Sequence, residues 1–592
     1  MKLRVLFASV FCLAAVLIAL GGAGLYLGSS KAEAQSGPGP AVVTAKSPNG
    51  PDVVRLVGPV IVNTDLNNLP YIPPAPHILK QSLDPDAWAE TGAPLIETFR
   101  FAKFPASIPA ILRPIATMPP PLFTFDGVSR AQGGIGVPPD TNGDVGPNHY
   151  VQSVNDSFKV FDKNRNTLSG PTTFNSFFFP LGNSTPCGAN QNQGDPVVFY
   201  DQMADRWVVT DFAFPESPGS SFWECIGVSQ TGDPVAGGWF LYALQDDPDN
   251  STLLGDYPKF GLWPDAFYLT MNRVDLRPRG VRVYALDRVS MIGGGPTNAV
   301  GFTIEFDLGR PSSLVPASFR TGAPPPVGRQ EFLLAISRSG VTETHIDGWL
   351  FHVDFVNPSN STLGLGSDHS PNAQIIVNAF NKPGLRAVPQ LDTAVKLDSL
   401  GNKIMTPVVY QNRNGTESLW ADHTVILNDP VGPTAIRWYQ FDVTGGNFPA
   451  TPVQQQDWSN GNDGLWRWMP SIAVDENGNV AIGYSTSSES MFPGIRYAGR
   501  FASDPLNDLA QGEATMTDGV GSQTGENRWG DYTMTTVDPA DGISFWHTNE
   551  YYMATSDENW STRIGKFQFP AAGRPTPTPR PRPTPAPRPT PP

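Results

Sequence analysis

The chain is predicted to be all-β: a seven-bladed β-propeller of four-stranded antiparallel blades, with an extended N-terminal segment and a proline-rich tail. Three observations predict it. From about residue 136 one pattern recurs: a short apolar strand, a turn rich in Asp, Asn and Gly, then an aromatic strand ending on a polar residue. The recurrence, at roughly 40–75 residues, matches propeller blades with loop insertions. Finally, 58 glycines and 61 prolines among 592 residues favour turns over helices, since both break helix interiors.

The elements follow in order. Residues 1–34 read as a targeting segment: Lys2 and Arg4 make a basic start, residues 5–27 carry no charge, and Ala32-Glu33-Ala34 offers a small-x-small cleavage site. The apolar run is long enough to span a bilayer, so an uncleaved anchor is the alternative to a cleaved signal peptide. Either way the body is expected to be secreted or held at the cell surface, with membrane contact only through that segment. Cys12 lacks the small residues that precede a lipidated cysteine and reads as filler. Residues 35–120 are proline-rich with apolar pieces such as 53–62, expected to wrap or precede the propeller. In 571–592 proline takes alternate positions from Arg574 onward; the segment cannot pack a core and reads as a disordered polyproline II spacer.

Residues 121–570 hold the repeat. Val474-Asp475-Glu476-Asn477-Gly478-Asn479 turns into the strand 480–485, and Val537-Asp538-Pro539-Ala540-Asp541-Gly542 into 543–549. Asp201 leads likewise into 206–211 and Asp265 into 266–272. Such turns between β-rich runs are hairpins. Strands at 222–229 and 239–245 complete a four-stranded meander, which 256–307 repeats. Seven units start near residues 140, 195, 256, 313, 390, 468 and 530. The last ends on its third strand, and a strand from near 122–126 is expected to complete it and close the ring. Tandem β-sandwiches would need a linker, and none lies between 140 and 570.

The net charge of −15 is uneven: the first 34 residues carry +2 and 571–592 carry +4, leaving −21 between them. Such a body repels nucleic acid and anionic membrane and favours cations or neutral ligands such as sugars; solubility alone explains it equally well. The remaining cysteines, Cys187 and Cys225, are predicted to form a disulfide in an oxidising compartment, two buried thiols being the alternative. No Cys/His spacing points to zinc. His149 and His547 fall in predicted second strands and read as core or interface residues.

In a propeller the loops leading into first strands and those trailing second strands open on one face. Leading positions are Asp140, Asp195, Asp256, Asp392, Trp468 and Asp531; trailing positions are Asn155, Asp211, Asn272, Asn412, Ser485 and Asn549. The carboxylates there either bind a ligand or cation at the channel mouth or hydrogen-bond nearby backbone, a device that repeats copy into every unit. Asp140, Asn142 and Asp144 match the opening of a calcium loop, with a tight Asx turn as the alternative; the glycine is displaced and Val151 stands where a bidentate Glu belongs. Calcium is accordingly the expected cofactor, if any. Arg467, Trp468, Arg528 and Trp529 sit beside carboxylates and would suit a sugar platform. Packing between blades is the alternative for Trp468 and Trp529, whereas Trp458 is expected to be exposed.

The segments 139–150 (Pro139-Asp140-Thr141-Asn142-Gly143-Asp144) and Trp529-Gly530-Asp531-Tyr532 resemble those of secreted bacterial sialidase-like (BNR-type) β-propeller proteins of unassigned function. The resemblance covers most of 120–570 and implies the fold. The Ser-x-Asp-x-Gly-x-Thr-Trp boxes of true sialidases are absent, so hydrolysis is not implied. The expected function is an extracellular monomer binding a glycan or protein ligand on its Asp-rich face. The alternative is a glycoside hydrolase or polysaccharide lyase using two ring carboxylates.

Overall fold

The computed structural model describes residues 43–45, 50–75 and 117–570, apart from 216–220, 249–251, 276–277, 306–312, 338–341, 385, 430 and 462. Residues 1–34, read above as a targeting segment, most of 35–120 and residues 571–592 lie outside the described residues. So do the expectations of export and of an extended tail.

The described chain is all-β, built from antiparallel meanders that succeed one another. The first occupies 142–173, the second 198–245, the third 254–305 and the fourth 315–381. The fifth occupies 408–458, the sixth 466–517 and the seventh 534–568. The fourth and fifth share one sheet, because their first strands, Val315–Gly322 and Val408–Arg413, pair in parallel. Elsewhere first strands lie beside one another without pairing: first beside second, third beside fourth, fifth beside sixth, sixth beside seventh, and seventh beside first. Phe199 and Phe260, 5.9 Å apart, bring the second against the third. The arrangement is consistent with a β-propeller.

Local chemistry explains the meanders. First strands such as Val198–Asp201 are buried along their whole length, as central strands flanked on both faces must be. Asp201, Asp475 and Asp538 end or follow first strands and fold the hairpin turns. The Asp475 carboxylate, for instance, accepts the N–H groups of Asn477 and Asn479 at 2.9 and 2.8 Å, an Asx turn.

Two N-terminal contributions close exposed edges. Strand Phe123–Ser129 pairs with Ser561–Gln568 and completes the seventh meander, as the sequence predicts. Strands Asp52–Arg55 and Val57–Val62, consecutive in the chain, add to the outer edges of the third and second meanders respectively. This short piece of the proline-rich segment therefore straps two neighbouring sheets. Cys187 and Cys225 form a disulfide with Cα atoms 5.7 Å apart.

Candidate functional site

Five first strands carry a residue in the left-handed region, just before the strand at Asp140 (φ 48°), Asp195 (50°) and Ser313 (70°), and at an irregularity near its start at Tyr257 (60°) and Met469 (51°). That conformation is unfavourable for a side-chain-bearing residue, and hydrogen bonds from neighbouring meanders hold it. Asn155 Oδ1 accepts the Asp195 N–H at 2.8 Å, Asn272 Oδ1 accepts the Ser313 N–H at 2.6 Å, and Thr424 Oγ1 accepts the Met469 N–H at 3.1 Å. Each acceptor lies on or just after the preceding meander's second strand. A side-chain oxygen thus clips one unit to the next, on the face where first strands begin.

The left-handed Asp140 and Asp195 and the residue Asp531, which precedes the seventh first strand, are gathered by the fold. Asp140 and Asp195 are each 1% exposed. Asn155 links them, since its Nδ2 also donates to Asp140 Oδ2 at 2.6 Å and to the Pro138 carbonyl at 2.7 Å. Gly194 (φ 122°) permits this approach; a Cβ there would stand 2.6 Å from Asn155 Oδ1. Asp140 Oδ1 accepts the Asp531 N–H at 2.7 Å, Asp195 Oδ2 accepts the Tyr257 N–H at 3.2 Å, and Asp531 is ion-paired with Arg528. Backbone donors and one arginine offset the repulsion among the carboxylates.

Two groups in this cluster escaped the sequence reading. Lys259 is buried with its Nζ 3.4 Å from the ring centre of Tyr257 and 3.5 Å from that of Tyr532, a cation–π sandwich. Burial pulls it well below the usual lysine range, while Asp195 and Asp531 oppose that shift. Glu550 is buried with neither carboxyl oxygen hydrogen-bonded; burial, with Asp140 beside it, pushes it well above the usual carboxylate range. A lysine in the otherwise buried inner strand of the third meander was the available signal for Lys259.

The other predicted residues sit elsewhere. Asp256 is half-buried and pairs in register with Asn272, one residue before the left-handed Tyr257. Asp392 is exposed in a loop well before its strand, Val408–Arg413. Arg467 is fully buried between Glu513 (2.7 Å) and Asp463 (2.7 Å), so its charge is spent inside the sixth meander. Trp468 and Trp529 pack edge to face at 5.2 Å in the core; both are buried and offer no stacking platform. Trp458, expected to be exposed, is 7% exposed, its Nε1 donating to the Tyr484 hydroxyl at 3.0 Å. Its strand pairs with Thr434–Asp442, which carries it into the core between the fifth and sixth meanders.

Asp140, Asn142 and Asp144 turn to different partners. Asn142 Oδ1 accepts the Val198 N–H at 3.1 Å, while Asp144 Oδ2 accepts the Tyr200 N–H at 2.8 Å and pairs with Arg320. Arg320 belongs to the fourth meander and so reaches the first from across the ring of strands. Among the described residues no group of three or more His, Cys, Asp or Glu is arranged to hold a metal ion.

A cleft of about 490 Å³ lies between the loops 386–396 and 525–527. Gln390 and Gln523 fix the loops reciprocally, at 3.0 and 2.9 Å, and the Asp398 N–H donates to the Asn527 carbonyl at 2.9 Å. Arg386 and Lys396 line the cleft with Glu526 and Asn527. Both cations are exposed, and neither forms an ion pair among the described residues.

No protein-family model matches this sequence, and no curated protein is significantly similar to it. Among solved structures, the chain is similar to Trypanosoma rangeli sialidase, with 10% identity and a TM-score of 0.31 over 63% of this chain and 54% of that one. It therefore spans about half the length of that sialidase. An α-L-arabinofuranosidase from Lactobacillus brevis shows 12% identity and a TM-score of 0.27 over 65% of this chain and 94% of that one. A thermostable family-43 glycoside hydrolase shows 14% identity and a TM-score of 0.25 over 66% and 96%. At such identities the site is read from its own geometry.

Proposed function

We propose that the chain is an exported or surface-held, monomeric seven-bladed β-propeller that binds a carbohydrate in the cleft between loops 386–396 and 525–527. The seven successive meanders, with first strands side by side, support the blade count, and the Cys187–Cys225 disulfide suits an oxidising compartment. One observation carries the ligand assignment. In a chain of net charge −15, Arg386 and Lys396 stand exposed in a concave, loop-built site, and neither is ion-paired among the described residues. Cations so placed favour an acidic glycan, with Asn527 and Glu526 available for hydroxyls. Binding is preferred to hydrolysis because Asp140 and Asp195, two of the five predicted ring carboxylates, are buried and engaged with backbone and Asn155, while Asp392 stands apart in an exposed loop. The test is an array of neutral and uronate-containing glycans probed with the full chain and with Arg386→Ala/Lys396→Ala. Retention of acidic glycans by the parent alone supports the reading. Equal binding by the variant, or none by either, sinks it; release of reducing sugar would favour the hydrolase.

A further inference from the structure

A second cleft, of about 280 Å³, lies between the fifth and sixth meanders. Arg413 and Gly478, in the first-to-second-strand hairpins of those meanders, stand at its rim. Those turns sit at the opposite ends of the first strands from the loops discussed above, so this cleft opens on the other face. Its rear is formed by Ser418, Trp420, Gln440, Gln454 and Arg500.

Three features make it a built site. Trp420 is 4% exposed and lines the cleft, yet its Nε1–H has no hydrogen-bond acceptor among the described residues; a buried indole donor normally finds one. Arg500 is 2% exposed and forms no ion pair among the described residues, with Asp504 and Asp508 acting on it only from a distance. It donates to Gln454 Oε1, to the Asp504 carbonyl at 2.6 Å and to the Phe501 carbonyl at 3.3 Å, all neutral. Arg413, at the rim, donates to the Asn477 carbonyl and likewise lacks an ion pair among the described residues. Two arginines left with neutral partners in so acidic a chain mark a place for an anionic group. Between them and the indole runs a chain of amides: Gln454 Nε2 donates to Gln440 Oε1 at 2.5 Å, and Gln440 Nε2 to Ser418 Oγ at 3.2 Å. Side-chain amides and hydroxyls, each both donor and acceptor, suit a polyol.

We infer that this cleft binds one carboxylated sugar ring, a hexuronate. Its carboxylate meets Arg500 and Arg413, its hydroxyls meet Gln440, Gln454 and Ser418, and one of its oxygens accepts the Trp420 N–H. The volume falls just below the range that holds drug-sized ligands and suits a single ring. The site is independent of the Arg386–Lys396 cleft and stands if that one fails.

The experiment uses the full chain labelled with ¹⁵N-tryptophan, the Trp420 indole resonance being identified by its loss in Trp420→Phe. Sodium glucuronate, glucose and sodium acetate are titrated separately. Glucuronate is expected to move the Trp420 resonance saturably, at concentrations at least tenfold lower than glucose or acetate require. Arg413→Gln, at the exposed rim, should weaken the response several-fold, and Arg500→Gln should abolish it. Arg386→Ala/Lys396→Ala should leave it intact. An unmoved Trp420 resonance, an equal response to acetate, or full retention in Arg413→Gln with Arg500→Gln folded and responsive overturns the proposal.

Discussion

Removing the Asn155 side chain tests whether the gathered carboxylates fasten neighbouring meanders. Asn155 accepts the Asp195 N–H at 2.8 Å and donates to the Pro138 carbonyl at 2.7 Å and to the Asp140 carboxylate at 2.6 Å, all buried. A hydrogen bond to a charged group contributes about 1.5–3 kcal/mol net, and a neutral one about 0.5–1.5 kcal/mol. Asn155→Ala is therefore expected to lower stability by about 2.5–6 kcal/mol, because it removes all three and costs Asp195, Asp140 and the Pro138 carbonyl one partner each. The assay is guanidinium unfolding followed by tryptophan fluorescence, with linear extrapolation to water. Asn155→Asp separates the roles: it keeps the acceptor for Asp195 but sets a second carboxylate against Asp140. Its deficit should therefore grow as pH rises through the carboxylate range. A loss below about 1 kcal/mol in the Ala variant, the size of an ordinary substitution, with no pH dependence in the Asp variant, would refute the clip.

Three further predictions follow from the same geometry. Cys187→Ser/Cys225→Ser reopens a 38-residue span and should cost about 4 kcal/mol on the chain-entropy estimate; an unchanged guanidinium midpoint would contradict this. Burial pushes the Asp422 carboxyl up to about 8. A raised folded value means its contribution is complete below the unfolded value near 4 and is lost as pH rises through 8, at about 1.4 kcal/mol per pH unit. Asp422→Asn should therefore flatten the decline measured by urea unfolding between those limits, and parallel curves for the two proteins would rule it out. Because Asn142 and Asp144 are already engaged by backbone and Arg320, adding calcium should leave the melting temperature unchanged; a rise abolished by Asp144→Asn would show the opposite.

The strands were legible because hairpins write themselves locally: Asp475-Glu476-Asn477-Gly478 fixes its turn through atoms a few residues apart. The repeat then gave the leading and trailing positions, and with them Asn155, Asp140, Asp195 and Asp531. Burial and partnership over long spans were not legible. Arg467 looked like a surface cation because Glu513, its buried partner, lies 46 residues away. Trp458 looked free because Tyr484 belongs to the next meander. Asp392 was misplaced because the long stretch before Val408–Arg413 offers no strand signal, so the start of the fifth meander could not be counted from residue 390. Trp420 drew no notice, since its chemistry depends on Arg500 and Gln454 arriving from outside its own hairpin.

The sheet that joins Phe123–Ser129 to Ser561–Gln568 has a consequence in time as well as in space. Arg563 bonds Thr124 across a sequence separation of 439 residues. At ribosomal speeds of about 5–20 residues per second, on the order of 20–90 s separate the two strands during synthesis. For that interval the earlier strand has no partner, and the meanders between them can fold while the circuit stays open. A chain that ends between residues 551 and 561 therefore leaves two bare edges in the seventh sheet, those of Phe123–Ser129 and Ser544–Tyr551. Such edges pair with whatever they meet. The outer strand of the seventh sheet thus finds its place only when its late partner, Ser561–Gln568, has been made.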